Sequence, residues 1–156
     1  MIQNHFCFDL LSMRQRGFRL YEEMFSKVLK EYDLTQMEMD ILLFLANNPE
    51  YDTASQIVSI RRLTKSHVSV SVEQLVQKGF LMRTYENGNR KVIHLRIEEE
   101  AQKVIASGRQ CQKSFADLIS EGISAEKLCI AEEVLKQMFD NVKHYEKKKE
   151  KQEKKL

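Results

Sequence analysis

The chain has 156 residues, enough for one domain or one domain with an extension. Its 42% hydrophobic residues can build a core, and a single proline, five glycines and 31% charged residues favour helix over sheet. No apolar run approaches the roughly 20 residues needed to span a membrane. Asp9 and Arg14 interrupt the only stretch near the start that could act as a secretory leader. Three cysteines far apart, Cys7, Cys111 and Cys129, suit a reducing cytoplasm rather than a disulfide framework. The expectation is a cytoplasmic protein with no membrane partner.

From Ile2 to about Tyr32 the spacing predicts one long helix. Phe6, Leu10, Met13, Leu20, Met24, Val28 and Leu29 recur at helical intervals, with Phe18 and Phe25 widening the stripe. So long a stripe exceeds what a small domain can cover, so it is expected to pack on another subunit. Asp33-Leu34 form a break. Thr35-Gln36-Met37-Glu38 is a capping-box sequence that opens a second helix, ended near Asn47 by Asn47-Asn48-Pro49. Met39, Ile41, Leu42 and Leu45 supply its core face.

The stretch from Thr53 to Leu95 organises the rest. Thr53 and Gln56 can cap a short helix to about Ile60, Arg61-Arg62-Leu63 make a turn, and Thr64 caps another helix from Lys65 to about Lys78. In that helix Val68, Val72 and Leu75 form one stripe, with Ser66, Ser69, Val70 and Glu73 pointing away. Gly79 suits a left-handed helix end. Two strands follow, joined at Asn87-Gly88, the strongest two-residue hairpin signal. A turn there pairs Phe80 with Leu95 and Met82 with Ile93, placing all four on one face.

Glu98-Glu99-Glu100 favour the first turn of a further helix to about Ser120, with Val104, Ile105, Cys111 and Phe115 near its apolar side. Gly122 breaks it, and Ser124 caps a last helix from Ala125 to about Tyr145. The fold class is therefore mainly α with a small β-hairpin wing: a winged helix-turn-helix with long terminal dimerisation helices. The expected division is an N-terminal dimerisation helix (1–33), the winged domain (34–97), C-terminal dimerisation helices (98–146) and a charged, disordered tail (147–156).

Charge supports a nucleic-acid partner. Between Arg61 and Lys91 lie seven basic residues and two acidic ones, a net of +5, against +2 for the whole chain. A local basic excess on a balanced protein is the footprint of phosphate contact. The second helix would enter a major groove and the hairpin would touch the DNA beside it. A twofold dimer would present two such helices about 34 Å apart, one turn of DNA.

The residues resemble the MarR family of winged-helix repressors over about Phe6 to Val142. The likeness is carried by Leu34-Thr35 through Ile41-Leu42 and Leu45, by Thr53 to Val58, by Leu63-Thr64-Lys65-Ser66-His67-Val68-Ser69, and by Leu75, Lys78-Gly79-Phe80-Leu81 and Arg83. The resemblance implies a homodimer on double-stranded DNA with a palindromic operator, acting as a repressor released by a small-molecule effector or by oxidation, with no cofactor. Two departures stand out. The wing usually carries Asp-x-Arg; here Asn87-Gly88-Asn89-Arg90 lacks the acidic member and Arg90 sits one position off. Val70 stands where a polar residue is common. It either reads a thymine methyl or packs partly.

For base reading the candidates are Ser66, His67, Ser69 and Val70; for phosphate, Arg61, Arg62, Lys65 and Lys91, with Arg90 in the wing and Arg83 on its outer side. The alternative for each alone is an ordinary exposed side chain, and the set is more secure than any member. Cys7 lies in Cys7-Phe8-Asp9-Leu10-Leu11-Ser12-Met13, which resembles the start of SarA-type members of the superfamily. It is a candidate redox sensor, against the default of a buried helix cysteine. Cys111 and Cys129 fall on apolar faces as structural residues. The histidines and cysteines show no metal-ligand spacing. No glycine-rich phosphate loop or nucleophile elbow points to an enzyme. The alternative function is a winged-helix protein-interaction module without DNA binding.

Overall fold

The computed structural model describes residues 2–86 and 89–153, with side chains for 5–85, 92–149 and 151–153. The turn expected at Asn87-Gly88, and the side chains of Arg90 and Lys91, lie outside the described residues. The elements are α1 (Ile2–Glu31), α2 (Gln36–Asn47), α3 (Ala54–Arg61), α4 (Lys65–Gln77), β1 (Leu81–Glu86), β2 (Asn89–Ile97), a 3-10 turn (Glu99–Ala101), α5 (Gln102–Ile119) and α6 (Ala125–Glu153). They divide into two compact units, residues 1–115 and 116–156.

In the first unit α2 is the centre. Met39 and Ile41 through Leu45 are all buried, so this helix is enclosed on nearly every side rather than along one stripe. The local signals that start the helices act as expected. Thr35 and Glu38 form a reciprocal capping box, and Thr53 and Gln56 form another. Thr64 Oγ1 accepts from the His67 N–H at 3.4 Å. The α4 C-terminus closes in a Schellman arrangement: Gly79, at φ +74°, donates to Val76 O and Phe80 donates to Leu75 O. At Gly108 the backbone of α5 comes so near α2 that an added Cβ would lie 2.8 Å from Met39 Sδ.

The hairpin differs from the expected register. Leu81 pairs with Ile97, Met82 with Arg96, Arg83 with Leu95 and Thr84 with His94, while near the tip Glu86 pairs with Asn89. Phe80 does not pair with Leu95, nor Met82 with Ile93. Between the tip pair and the Thr84–His94 pair lie Tyr85 on β1 and Arg90 to Ile93 on β2, so β2 carries the surplus residues of an irregularity. Burial decides the root register. Leu81 and Leu95 are 2% and 6% exposed, whereas Met82 and Ile93 are each 42% exposed. The segment before α3 also grips β2: Leu95 N donates to Asp52 O at 2.6 Å, and Thr53 forms a bridge to His94.

In the second unit, α6 runs to Glu153, beyond the stop expected near Tyr145. Its last turns are rich in Lys and Glu, which propagate helix well, and Lys149 and Glu153 approach to 3.9 Å at i, i+4 spacing. Among the described residues no helix is long and apolar enough to cross a membrane.

Candidate nucleic-acid interface

The helix-turn-helix is built by α3, its turn and α4. Arg62 takes the left-handed conformation at φ +53°, and its N–H and that of Leu63 both return to Val58 O. This turns the chain sharply enough for α4 to pack on α2 and α3. Val68, Val72 and Leu75 are the seat, at 0%, 3% and 0% exposure, and Ser71 is buried beside them. Opposite the seat, Lys65, Ser66, His67, Ser69 and Val70 are all exposed. The structure thus gathers the four expected base-reading residues on one outward surface, with Lys65 at its N-terminal edge. Val70 is not packed: it is 62% exposed.

The basic residues divide by partner. Arg61 is 3.8 Å from Asp40, yet its side chain remains 44% exposed. Burial pushes the Asp40 carboxyl above its usual range, against the hydrogen bond from Gln36 and the charge of Arg61. Arg62 is exposed at the turn. Arg83 reaches back across the hairpin to Glu73 of α4, with Nη2 donating to Oε2 at 2.7 Å. That hydrogen bond, then the guanidinium's charge, holds the Glu73 carboxyl below its usual range. The pair ties the wing root to α4.

Lys78 belongs to a different structure. Its ammonium donates to the backbone oxygen of Asp33 and to Glu38 Oε2, the latter at 3.2 Å. Glu38's side chain is only 4% exposed, and its Oε2 also accepts from the Thr35 N–H at 2.8 Å. One basic residue of the sequence-level excess is therefore a clamp between the end of α4 and the elbow joining α1 to α2. The sequence analysis also missed the Asp52–His94 contact, Oδ2 to Nδ1 at 2.8 Å, which fastens β2 at the wing root. Only the proximity of two residues 42 apart in sequence reveals it, and no local pattern carries that.

The cysteines depart from expectation. Cys7 is exposed on α1 rather than buried, and Cys129 is exposed on α6 rather than packed. Cys111 is partly buried, its thiol donates to Met24 O at 3.6 Å, and burial pushes its pKa up. Among the described residues no three His, Cys, Asp or Glu side chains converge as a metal site would require.

The MarR family model matches residues 32–90, the segment that contains α2, α3, α4 and β1. No curated protein matches the chain in sequence. Among solved structures, a MarR family transcriptional regulator from Listeria monocytogenes complexed with 26mer DNA superposes with a TM-score of 0.74 at 17% identity, over 83% of this chain and 87% of that one. The transcription regulator MarR from Oenococcus oeni gives 0.61 at 21% identity, over 85% and 96%. A MarR transcriptional regulator from Methanosarcina mazei gives 0.72 at 14% identity, over 86% and 95%. At these identities the structures speak for the fold alone, a winged helix-turn-helix, and residues 32–90 are the part of this chain that matches the MarR family model.

Proposed function

We propose that the chain is a sequence-specific regulator of transcription that binds double-stranded DNA, works in the cytoplasm, and acts as a homodimeric repressor on a palindromic operator. The observation that carries this reading is the outward face of α4. A helix seated on Val68, Val72 and Leu75 presents Ser66, His67, Ser69 and Val70 with nothing of the first unit covering them. Lys65 and the turn arginines stand at its entry, where phosphates flank a major groove. Arg83 adds a basic side chain on the hairpin, and the sequence supplies two more near its tip, Arg90 and Lys91. The Listeria relative was solved with DNA, which supports the same use of the fold here.

Dimerisation is supported separately in each unit. On α1, Phe8, Leu11 and Phe18 are 70%, 62% and 57% exposed; on α6, Phe139, Val142 and Tyr145 are 66%, 57% and 71% exposed. Apolar surface on this scale is expected to be covered in the working molecule. Light scattering at micromolar concentration should give the mass of two chains; a monomer would refute the dimer. Release by a small-molecule or oxidative signal is the regulatory part of the proposal, with the exposed Cys7 thiol as the oxidant-sensing candidate.

A gel-shift titration against genomic fragments at two salt concentrations tests the function. Specific binding that weakens steeply with salt, through counterion release, is the expected result. Absence of binding to any fragment would favour a winged-helix module that binds protein instead.

A further inference from the structure

Among the described residues of α4, Val70 is the one large hydrophobic side chain that is exposed. It lies two residues from both Val68 and Val72, which puts it on the far side of the helix from their buried seat. A β-branched residue is a poorer helix former than Ala, and this one returns no packing for that cost. Its neighbours on the outward face are polar. Ser66 sits one turn before it and Ser69 beside it, both exposed. Glu73 follows one turn later, but its carboxylate is already engaged by Arg83 at 2.7 Å and Gln77 at 3.3 Å.

Valine can neither donate nor accept a hydrogen bond, so it makes no phosphate contact and no polar contact to a base edge. The major groove offers one apolar group among its donors and acceptors, the C5 methyl of thymine. We infer that Val70 reads a thymine methyl and fixes a T·A pair at one position of each half-site. The inference rests on the DNA-binding function proposed above and names the base chemistry of that surface. Ser66 and Ser69 supply hydroxyls that settle on whichever phosphate or base edge flanks this pair. Discrimination comes from the apolar contact, because cytosine presents no methyl there.

The test starts with duplexes selected from a random library by the full-length chain. Each recurrent thymine is then replaced by deoxyuridine, which deletes the methyl and leaves the Watson–Crick edge intact. Affinities are measured for the native protein and for Val70→Ser, a change at an exposed position that the fold tolerates. Burial of one methyl is worth roughly a fourfold change in affinity. At one thymine per half-site, uracil should weaken the native protein about fourfold for each half-site replaced and leave Val70→Ser unchanged. If every thymine methyl is dispensable, or matters equally to both proteins, the assignment of Val70 is overturned while the DNA-binding reading stands. If no duplex is enriched at all, the DNA-binding reading itself fails, and the assignment with it.

Discussion

Replacing Lys78 by Met keeps most of the aliphatic stem and deletes the ammonium. Glu38 then loses its cation while its side chain stays 4% exposed, and Asp33 O loses a donor. Stranding one partner of a fully buried ion pair costs about 3–5 kcal/mol, and a hydrogen bond to a charged group is worth about 1.5–3 kcal/mol. The Lys78 side chain is 24% exposed, so water partly replaces the ammonium, and Glu38 keeps its bond from the Thr35 N–H. The lower range applies, and a loss of about 2 kcal/mol is expected. A domain of this size loses about 2–4 °C of Tm per kcal/mol, so the midpoint should fall by roughly 4–8 °C. Urea unfolding of the full chain, followed by circular dichroism at fixed protein concentration, measures the change. Glu38→Gln removes the charge and retains a capping side chain. Combined with Lys78→Met, it should cost less than the two losses added, with a coupling of about 1 kcal/mol or more. Strict additivity, or a Lys78→Met protein as stable as the parent, would refute the clamp. Lys78→Met should also leave the salt dependence of DNA binding unchanged, because Lys78 is not placed as a phosphate ligand.

Gly17→Ala and Gly108→Ala should move stability in opposite directions. At Gly17 an added Cβ meets only Phe115 Cζ at 4.0 Å, so a helix gain of about 0.5–1 kcal/mol is expected. At Gly108 it meets Met39 Sδ at 2.8 Å and Leu43 Cδ2 at 3.1 Å, and overpacking of about 1–3 kcal/mol should outweigh that gain; two urea curves shifted the same way would contradict this. The lowered Glu73 pKa means that the stabilisation from its pair with Arg83 is present above the unfolded carboxyl value and is lost as pH falls through the lower folded value. Arg83→Met should therefore raise the Glu73 titration midpoint seen by NMR, and an unmoved midpoint would exclude the pairing. Lys65→Ala should weaken DNA binding for all sequences and lower the salt slope by about one per protomer, about two for the dimer, read by fluorescence anisotropy at several salt concentrations; an unchanged slope removes Lys65 from the phosphate contacts. Arg90→Ala should weaken DNA binding and leave the unfolding curve in place, and unchanged affinity would end its assignment to the wing contact.

Much of this molecule is legible in its sequence where the cause is local. Thr35 with Glu38, Thr53 with Gln56, and Gly79 are short-range devices, and each acts as its spacing predicts. The seat of α4 was equally plain, because Val68, Val72 and Leu75 need only helical period to be recognised. The misread features depend on distant partners. Glu86 pairs with Asn89 near the tip, but burial of Leu81 and Leu95 and the hold of Asp52 on Leu95 set a different register at the root. Lys78 counts as one more positive charge until Glu38 and Asp33 are found beside it. The helix beyond Tyr145 has no apolar stripe to announce it and rests on Lys and Glu propensity alone.

The hairpin is thus threaded twice, once from its tip and once from its root, with the mismatch absorbed in β2. In a ribbon with one continuous ladder, adding or removing a residue at the end shifts every rung behind it. Here the rungs at Leu81 and Leu95 are set by the body of the domain, so such a change stops at His94. Insertions, deletions and recharging of the tip are therefore open to selection at little expense in foldability, and affinity for a target becomes adjustable without rebuilding the domain that carries it.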